Sequence, residues 1–156
     1  MEGHMEQAGD ATALTDDVGF LLSRASGLVV RASNASLAGH GLRVRSYSVL
    51  LLAGDTEEGV SQREMADVLG LDPSQVVLLV DELAAAGLVE RRPSPVDRRT
   101  RLVTATDAGR AVRARAGVDV DATMTRQLAE LTAGEQHLLR ELLTRLVAGG
   151  RGAVRA

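Results

Sequence analysis

The residues best suited to binding a charged ligand are arginines concentrated in one short segment. Residues 91–115 contain eight arginines and two acidic residues, a net charge of +6, whereas residues 1–90 carry −9 and the whole chain −3. A basic segment on an otherwise acidic chain is typical of an element that contacts the phosphates of double-stranded DNA. The alternative is a solvated strand face with surface ion pairs, which contribute little to stability.

Ser74 and Gln75 are a second group of polar residues able to contact DNA. They follow Asp72 and Pro73, a sequence typical of a helix start, because Asp is a preferred cap and Pro suits the first helical position. A helix N-terminus attracts phosphate through its free N–H groups and its dipole. The Ser74 hydroxyl can reach base edges or phosphates, and a glutamine amide can pair bidentately with adenine.

Two short helices are predicted directly before the arginine segment. Ser61 and Glu64 form a capping box that begins the first helix, which ends near Gly70. The second helix runs from residue 73 to about residue 86, and another helix is predicted over residues 43–53. Two short helices joined by a three-residue turn predict a helix-turn-helix.

Residues 88–104 are predicted to form a two-stranded hairpin, called the wing below. Residues 88–92 and 99–104 are its predicted strands, and Pro93 is predicted not to continue the first strand because proline lacks a ladder donor. Arg98 is predicted to enter a narrow minor groove, where the negative potential favours arginine. The wing residues predicted to contact phosphates are Arg91, Arg92 and Arg101.

A long helix is predicted before the helix-turn-helix. Apolar or small residues recur at alternating spacings of four and three between Leu14 and Ala35. This pattern predicts one helix over residues 12–38, with an apolar stripe for a partner helix. The alternative is a helix that packs within its own chain.

Two more helices are predicted after the wing. Residues 107–131 carry a looser apolar stripe, and Thr132 with Glu135 forms a capping box that opens a leucine-rich last helix. Gly149 and Gly150 are predicted to end that helix. The predicted organisation is a dimerisation body of residues 12–38 and 107–149, a DNA-binding lobe of residues 43–106, and flexible ends of residues 1–11 and 150–156.

The composition favours a mostly α-helical protein. With 45% hydrophobic residues but one Phe, one Tyr and no Trp, the core must consist of Leu, Val and Ala, and Ala and Leu are strong helix formers. The absence of Cys excludes disulfides and thiolate sites, and the three histidines lack metal-ligand spacing. Neither a membrane span nor a signal peptide is recognisable. We therefore expect a cytoplasmic protein with no cofactor, no bound metal and no membrane partner; residues 1–4, which precede Met5, are either native or a tag remnant.

These motifs together resemble the MarR family of bacterial transcription regulators. The resemblance covers about residues 14–148 and implies a mostly α fold with a small β wing, a winged helix-turn-helix that dimerises through its N- and C-terminal helices. It also implies a second helix in the major groove, a wing in the flanking minor groove, and two half-sites about one helical turn apart. The segments that carry the resemblance are Ser61–Ala66, Leu69–Gln75, Leu79–Leu83, Gly87–Arg91, Asp97–Arg99 and Thr106–Gly109.

The resemblance assigns roles to residues of the predicted DNA-binding lobe. Asp97 is expected to pair with Arg99 and brace the wing without touching DNA. Independently of the resemblance, the residue type makes Val76 or Val77 a candidate to contact a thymine methyl group, and packing of both in the core is the equal alternative. The full set predicted to bind DNA is Ser61, Arg63, Pro73, Ser74, Gln75, Val77, Arg91, Arg92, Arg98, Arg99 and Arg101.

The predicted second helix departs from the family pattern. Leu78 and Glu82 stand where the family commonly has basic residues, and residues 73–86 contain no Lys or Arg. Asp81 and Glu82 must therefore face away from phosphates or be paired. Binding would then depend more heavily on the helix N-terminus, the wing and Arg63.

The resemblance also implies a small aromatic or anionic effector, bound in a crevice between the dimerisation helices and the DNA-binding lobe. Arginine suits such a site because it grips a carboxylate bidentately. Tyr47 is alternatively a core residue, and His40 an exposed loop residue. The predicted lining residues are Phe20, Arg24, His40, Arg43, Arg45, Ser46, Tyr47 and Arg113.

The predicted function is a homodimeric, sequence-specific DNA-binding regulator, expected to act as a repressor on a pseudo-palindromic operator. An enzyme is the main different class, but the chain lacks a Gly-rich nucleotide-binding unit and a recognisable catalytic set. The other alternative is a dimeric interaction module that has lost DNA binding. The acidic second helix favours that alternative.

Overall fold

The computed structural model describes residues 14–153 and shows a mostly helical chain with a small sheet in its middle. The predicted flexible segment 1–11, with the possible tag remnant at residues 1–4, and residues 154–156 of the other predicted flexible segment lie outside the described residues, whereas residues 150–153 of that segment are helical. A short 3-10 helix, Ala38–His40, links the first two helices below. The elements are α1 (Val18–Leu37), α2 (Val44–Ala53), β1 (Val60–Ser61), α3 (Gln62–Leu69), α4 (Pro73–Ala85), β2 (Val89–Pro93), β3 (Arg101–Ala105), α5 (Asp107–Gln127) and α6 (Ala133–Ala153).

The sheet has three antiparallel strands in the order β1-β3-β2, so the prediction of two strands was incomplete. Val60 of β1 pairs with Val103, which ties the segment before α3 to the wing. Pro93 pairs with Arg101 at the end of β2, so the prediction that Pro93 could not continue the strand was wrong. Proline is tolerated there because β2 is an edge strand, whose outer side needs no donor.

The core lies under the helix-turn-helix and consists of aliphatic side chains, as the composition predicted. Met65 of α3, Val76 and Val80 of α4, and Val103 of β3 are fully buried. Leu37 and Ala116, from the end of α1 and the middle of α5, complete the same core. The lobe that presents the helix-turn-helix therefore packs directly on the two long helices.

Local signals fixed most helix ends. Ser61 accepts a hydrogen bond from the Glu64 N–H at 3.2 Å, and the Glu64 carboxylate accepts from the Ser61 N–H at 3.0 Å, which completes the predicted capping box. The Thr132–Glu135 box is present as well. Asp72 occupies the N-cap of α4, but its side chain makes no capping hydrogen bond, so the predicted side-chain cap is wrong.

The C-terminus of the last helix differs from its prediction. The helix α6 continues through Gly149 and Gly150 to Ala153. An interior glycine costs a helix only about 1 kcal/mol, so two of them weaken it without ending it. Neither residue adopts the left-handed conformation that ends α3 at Gly70, where φ is 64°.

The close approach of the Leu88 carbonyl requires a glycine at position 109, near the start of α5. A Cβ atom at this position would lie 1.9 Å from the carbonyl oxygen of Leu88. Thr106 caps α5 by accepting a hydrogen bond from the Gly109 N–H at 3.0 Å, and its hydroxyl donates to the Gly87 carbonyl at 2.6 Å. The Thr-x-x-Gly segment thus fastens α5 against the chain that enters β2.

Apolar side chains on α1 and α6 are left uncovered. Leu21 and Leu28 on α1, and Leu138, Leu142 and Leu146 on α6, are all exposed. Within the described residues, no helix has the length and apolar character needed to cross a membrane.

Candidate nucleic-acid interface

The helix α4 presents a polar N-terminus and an uncovered outer face. Its buried side packs Val76, Val80 and Leu83 against the core. Val76 is therefore a core residue, whereas Val77 is 37% exposed beside the outer face. The helix-turn-helix α3–α4 forms as predicted, with Gly70 in the three-residue turn.

At the start of α4, two predicted base-reading side chains are available. Ser74 and Gln75 are exposed, and within residues 14–153 neither side chain has a hydrogen-bond partner. The backbone amides of Gln75 and Val76 already donate to the Asp72 carbonyl at 3.0 and 3.2 Å. The side chains, rather than those amides, are therefore the groups this end offers to a ligand. Pro73 is exposed next to them.

The tip of the wing carries guanidinium groups with no internal partner. Arg98, Arg99 and Arg101 are exposed, and no hydrogen bond or ion pair engages their side chains in the described part of the chain. A local positive charge without an internal counter-ion is what attraction of DNA phosphate requires. Arg63, on the exposed side of α3, is equally free among residues 14–153.

Asp97 braces the wing, but not through the Arg99 side chain as predicted. Its carboxylate accepts hydrogen bonds from the Arg99 N–H at 3.0 Å and from the Thr100 hydroxyl at 3.2 Å. The Ser94 N–H donates to the Thr100 carbonyl at 2.8 Å, which closes the turn. Because Asp97 holds the backbone, the Arg99 guanidinium stays available.

The Arg91 guanidinium is partly exposed but is engaged by partners within the protein. Its Nε and Nη2 atoms donate to Oε1 of Gln62 at 3.0 and 2.9 Å, and Nη2 also donates to Oδ1 of Asp81 at 2.6 Å. The phosphate contact predicted for Arg91 remains a prediction, but this guanidinium already satisfies two partners. The pairing also explains how α4 tolerates Asp81, whose charge is neutralised from β2.

Two other predicted contact residues also have internal partners. The Arg92 guanidinium forms an ion pair with Glu90, two residues earlier on β2. The Ser61 hydroxyl is shared with Glu64 in the capping box, and these hydrogen bonds lower the pKa of the Glu64 carboxyl. Among the polar residues predicted to bind DNA, those whose side chains have no hydrogen-bond or ion-pair partner within residues 14–153 are Arg63, Ser74, Gln75, Arg98, Arg99 and Arg101.

A second cluster lies between α2 and α5, where an effector crevice was predicted. Arg113 donates to Asp55 at 2.8 Å, and a Cβ atom at Gly54 would lie 2.7 Å from its guanidinium. A Cβ atom at Gly117 would lie 3.3 Å from the Tyr47 hydroxyl. Burial and, secondarily, the nearby Asp121 carboxylate raise the pKa of Tyr47, and Arg113 partly opposes them. The structure therefore groups the predicted residues Tyr47 and Arg113.

The other predicted crevice residues are placed differently. His40 is largely buried against α5, where its Nε2 atom lies 2.6 Å from Oδ2 of Asp119, so it is not an exposed loop residue. Ser46 is buried and bonds to the Arg43 backbone. Phe20 is half-buried, and Arg24, Arg43 and Arg45 are exposed. No group of three metal-ligating side chains occurs in residues 14–153.

A helix-turn-helix whose second helix has an uncovered outer face, followed by an arginine-bearing wing, defines a winged helix-turn-helix DNA-binding protein. The family model described as "MarR family" matches residues 40–100. A transcriptional repressor of Mycobacterium tuberculosis, Rv2887, is 31% identical over 135 residues, which cover 85% of this chain and 96% of the relative. The chain belongs to the MarR family and is a DNA-binding transcription regulator.

Two solved structures extend the comparison. CouR from Rhodococcus jostii RHA1, bound to p-coumaroyl-CoA, is 48% identical, with a TM-score of 0.82 over 86% of this chain and 94% of that one. A transcriptional repressor CouR bound to a 23-mer DNA duplex is 31% identical, with a TM-score of 0.78 over 94% of this chain and 99% of that one. Members of the family are transcription regulators and not enzymes, so the sequence-based expectation on this point is confirmed.

Proposed function

We propose that the protein is a homodimeric repressor that binds a pseudo-palindromic operator and is released by an aromatic or anionic effector. The observation that carries the proposal is the set of free guanidinium groups on the wing beside the uncovered face of α4. Two such surfaces, related by a two-fold axis, would read two half-sites one helical turn apart.

Uncovered apolar side chains at both ends of the chain support a second copy as the partner. Leu21 and Leu28 lie on the predicted stripe of α1 and are exposed, which argues against packing of that part of the stripe within its own chain. Leu138, Leu142 and Leu146 follow one face of α6 at a spacing of four. Exposed apolar patches of this kind mark association sites.

The dimer is tested by sedimentation of the full chain. We expect a dimer for the wild type and a monomer for the Leu138→Asp, Leu142→Asp double variant. Val96→Asp, on the wing, is the matched control, because Val96 is 95% exposed and distant in sequence from both long helices. A monomeric wild type would contradict the proposal, and circular dichroism would show that the double variant keeps its helices.

DNA binding and its specificity are tested by a gel shift on the promoter region of the protein's own gene. A true protein–DNA complex weakens steeply as salt rises, because bound counterions are released from the DNA. Retardation at low salt that decreases with salt, and that exceeds binding to a random duplex, supports the repressor. No retardation at any salt would contradict it.

The effector crevice is proposed between α2 and α5, around Tyr47 and Arg113. The guanidinium of Arg113 is partly buried and is paired with Asp55 through Nη2, so its other nitrogen atoms can meet an anionic group of the effector. The relative CouR, bound to p-coumaroyl-CoA, suggests an aromatic acyl thioester as the first probe. We expect p-coumaroyl-CoA to raise the melting temperature of the wild type more than that of Arg113→Ala, and to release it from DNA. An equal rise in melting temperature in both proteins would mean that Arg113 does not contact the effector.

The second candidate function is a dimeric winged-helix module with weak or no DNA binding. The C-terminal half of α4 carries Asp81 and Glu82 and no basic residue, which favours this second candidate. The gel shift separates the two candidates, because the module would remain unbound at every salt concentration.

A further inference from the structure

We propose that Leu78 is the specificity-determining residue of α4 and contacts the 5-methyl group of a thymine in the major groove. The inference rests on the proposed function, since it requires that α4 enters the groove. It assigns direct readout to an apolar contact on the outer face of α4, which carries no Lys or Arg.

Leu78 lies on the side of α4 that faces directly away from the core. Successive helix residues are separated by about 100°, so Leu78 lies about 200° around the axis from Val76. The buried residues Val76, Val80 and Leu83 share the opposite side. Leu78 is accordingly 64% exposed, among the most exposed leucines of the described chain.

The residues one turn before and after Leu78 leave space for a base edge. Ser74 and Glu82, four positions away on either side, are exposed and without side-chain partners in residues 14–153. Leu78 thus lies between a small hydroxyl side chain and a carboxylate, and Asp81, three positions after it, is engaged by Arg91. No cation on α4 competes to hold this face at a phosphate.

The chemistry of the major groove restricts what Leu78 can recognise there. Each base pair presents donors and acceptors in the groove, and the 5-methyl group of thymine is the apolar feature among them. A leucine over any other base edge would desolvate polar groups without pairing them, which is unfavourable. The free guanidinium groups of Arg98 and Arg99 on the wing, and of Arg63 on α3, supply the complementary charge that would bring this face to DNA.

The test compares thymine with deoxyuridine, which differs only by the methyl group. A duplex is selected by the wild-type protein from a randomised 25-base-pair library, and symmetric thymine pairs are replaced in turn by deoxyuridine. At one symmetric pair we expect affinity to fall by about fourfold per half-site, and about fifteen-fold for both, which corresponds to one buried methyl group each. The Leu78→Ala variant is expected to bind the thymine and deoxyuridine duplexes equally.

Val96→Ala is the matched control, since it also shortens an exposed apolar side chain of the DNA-binding lobe and should keep the full preference for thymine. A thymine preference that is absent in the wild type, or unchanged in Leu78→Ala, overturns the inference while leaving the proposed function intact. Failure of the wild type to enrich any duplex contradicts the proposed function, and the inference with it. Because Leu78 is exposed, Leu78→Ala is expected to unfold at the wild-type temperature.

Discussion

The Nη2 atom of Arg91 lies 2.6 Å from Oδ1 of Asp81 and thereby joins the first strand of the wing to α4. The same guanidinium also binds Gln62 at the start of α3. Three elements of the DNA-binding lobe therefore meet at one side chain. The charge of Arg91 is neutralised by Asp81. Attraction of DNA is therefore left to the free wing residues Arg98, Arg99 and Arg101.

Arg91→Ala and Arg101→Ala are expected to affect DNA binding differently. Loss of one phosphate contact reduces the slope of log affinity against log salt by about 0.9. Arg101 is free, so its loss should reduce the slope by about that amount for each copy. Arg91→Ala should lower affinity while leaving the slope near its wild-type value, as measured by fluorescence anisotropy from low to high salt.

Asp81→Asn is the companion variant for Arg91. If the ion pair positions the wing, Arg91→Ala and Asp81→Asn should be non-additive, and the double variant should bind no worse than Arg91→Ala alone. Each change should cost no more than about 1 kcal/mol in unfolding free energy, because the pair is partly exposed. Additive losses, with a reduced slope for Arg91→Ala, would instead mean that Arg91 reaches phosphate.

Arg98→Ala is expected to weaken specific binding more than Gln75→Ala does. Arg98 is free on the wing, where the minor groove favours arginine, and its loss should cost about 1–3 kcal/mol. Gln75 contributes a neutral contact at the end of a helix that carries no cation. Gel shifts on one selected duplex at fixed salt give the ranking, and the reverse order would contradict it.

Glu82→Gln is expected to raise affinity for a random duplex. The carboxylate on the outer face of α4 repels phosphate, and its removal should gain about 1 kcal/mol or less at a solvated surface. Glu130→Gln, the same change in the turn between α5 and α6, is the control and should leave that affinity unchanged.

Gly109→Ala is expected to destabilise the fold severely. The added Cβ atom would overlap the Leu88 carbonyl oxygen, so backbone must move, and we expect a loss of about 3 kcal/mol or more in chemical denaturation. Gly149→Ala is the matched control, because nothing lies within 4 Å of its added atom. Inside α6 that change should stabilise by up to about 1 kcal/mol.

The Ser61–Glu64 capping box predicts a dependence of stability on pH. Its hydrogen bonds lower the pKa of Glu64 from the ordinary value of 4.5. A carboxyl whose pKa is lower in the folded state stabilises the fold above its unfolded pKa, and this contribution is lost as pH falls through the folded pKa. Glu64→Gln should therefore flatten the acid side of the stability profile, measured by denaturation between pH 6 and pH 3. In a Ser61→Ala background, Glu64→Gln should flatten the acid side of the stability profile less.

Features set by residues close in sequence were predictable. The two capping boxes, the glycine end of α3, and the turn between α3 and α4 all depend on side chains within a few positions of one another. The α-helical class followed from a composition rich in Ala and Leu. The winged helix-turn-helix emerged because these signals occur in one order over a short segment.

Contacts between distant residues were not predictable in the same way. The two-residue strand β1 exists only because Val60 pairs with Val103, and no local pattern announces so short a strand. The His40–Asp119 pair spans 79 residues, and the Arg91–Gln62 contact spans 29. An arginine counted in a basic segment can thus be paired within the chain, which local charge counting does not reveal.

The absence of cations from α4 has a consequence for how the protein finds its target. On chromosomal DNA of arbitrary sequence, attraction comes from phosphate neutralisation alone, which here falls to a few guanidinium groups. Residence on such DNA should be brief, and sliding tracks short. The protein then finds its target mainly by repeated dissociation and re-encounter through the surrounding solution. Even when few molecules are present, binding to non-target DNA leaves them available for the operator.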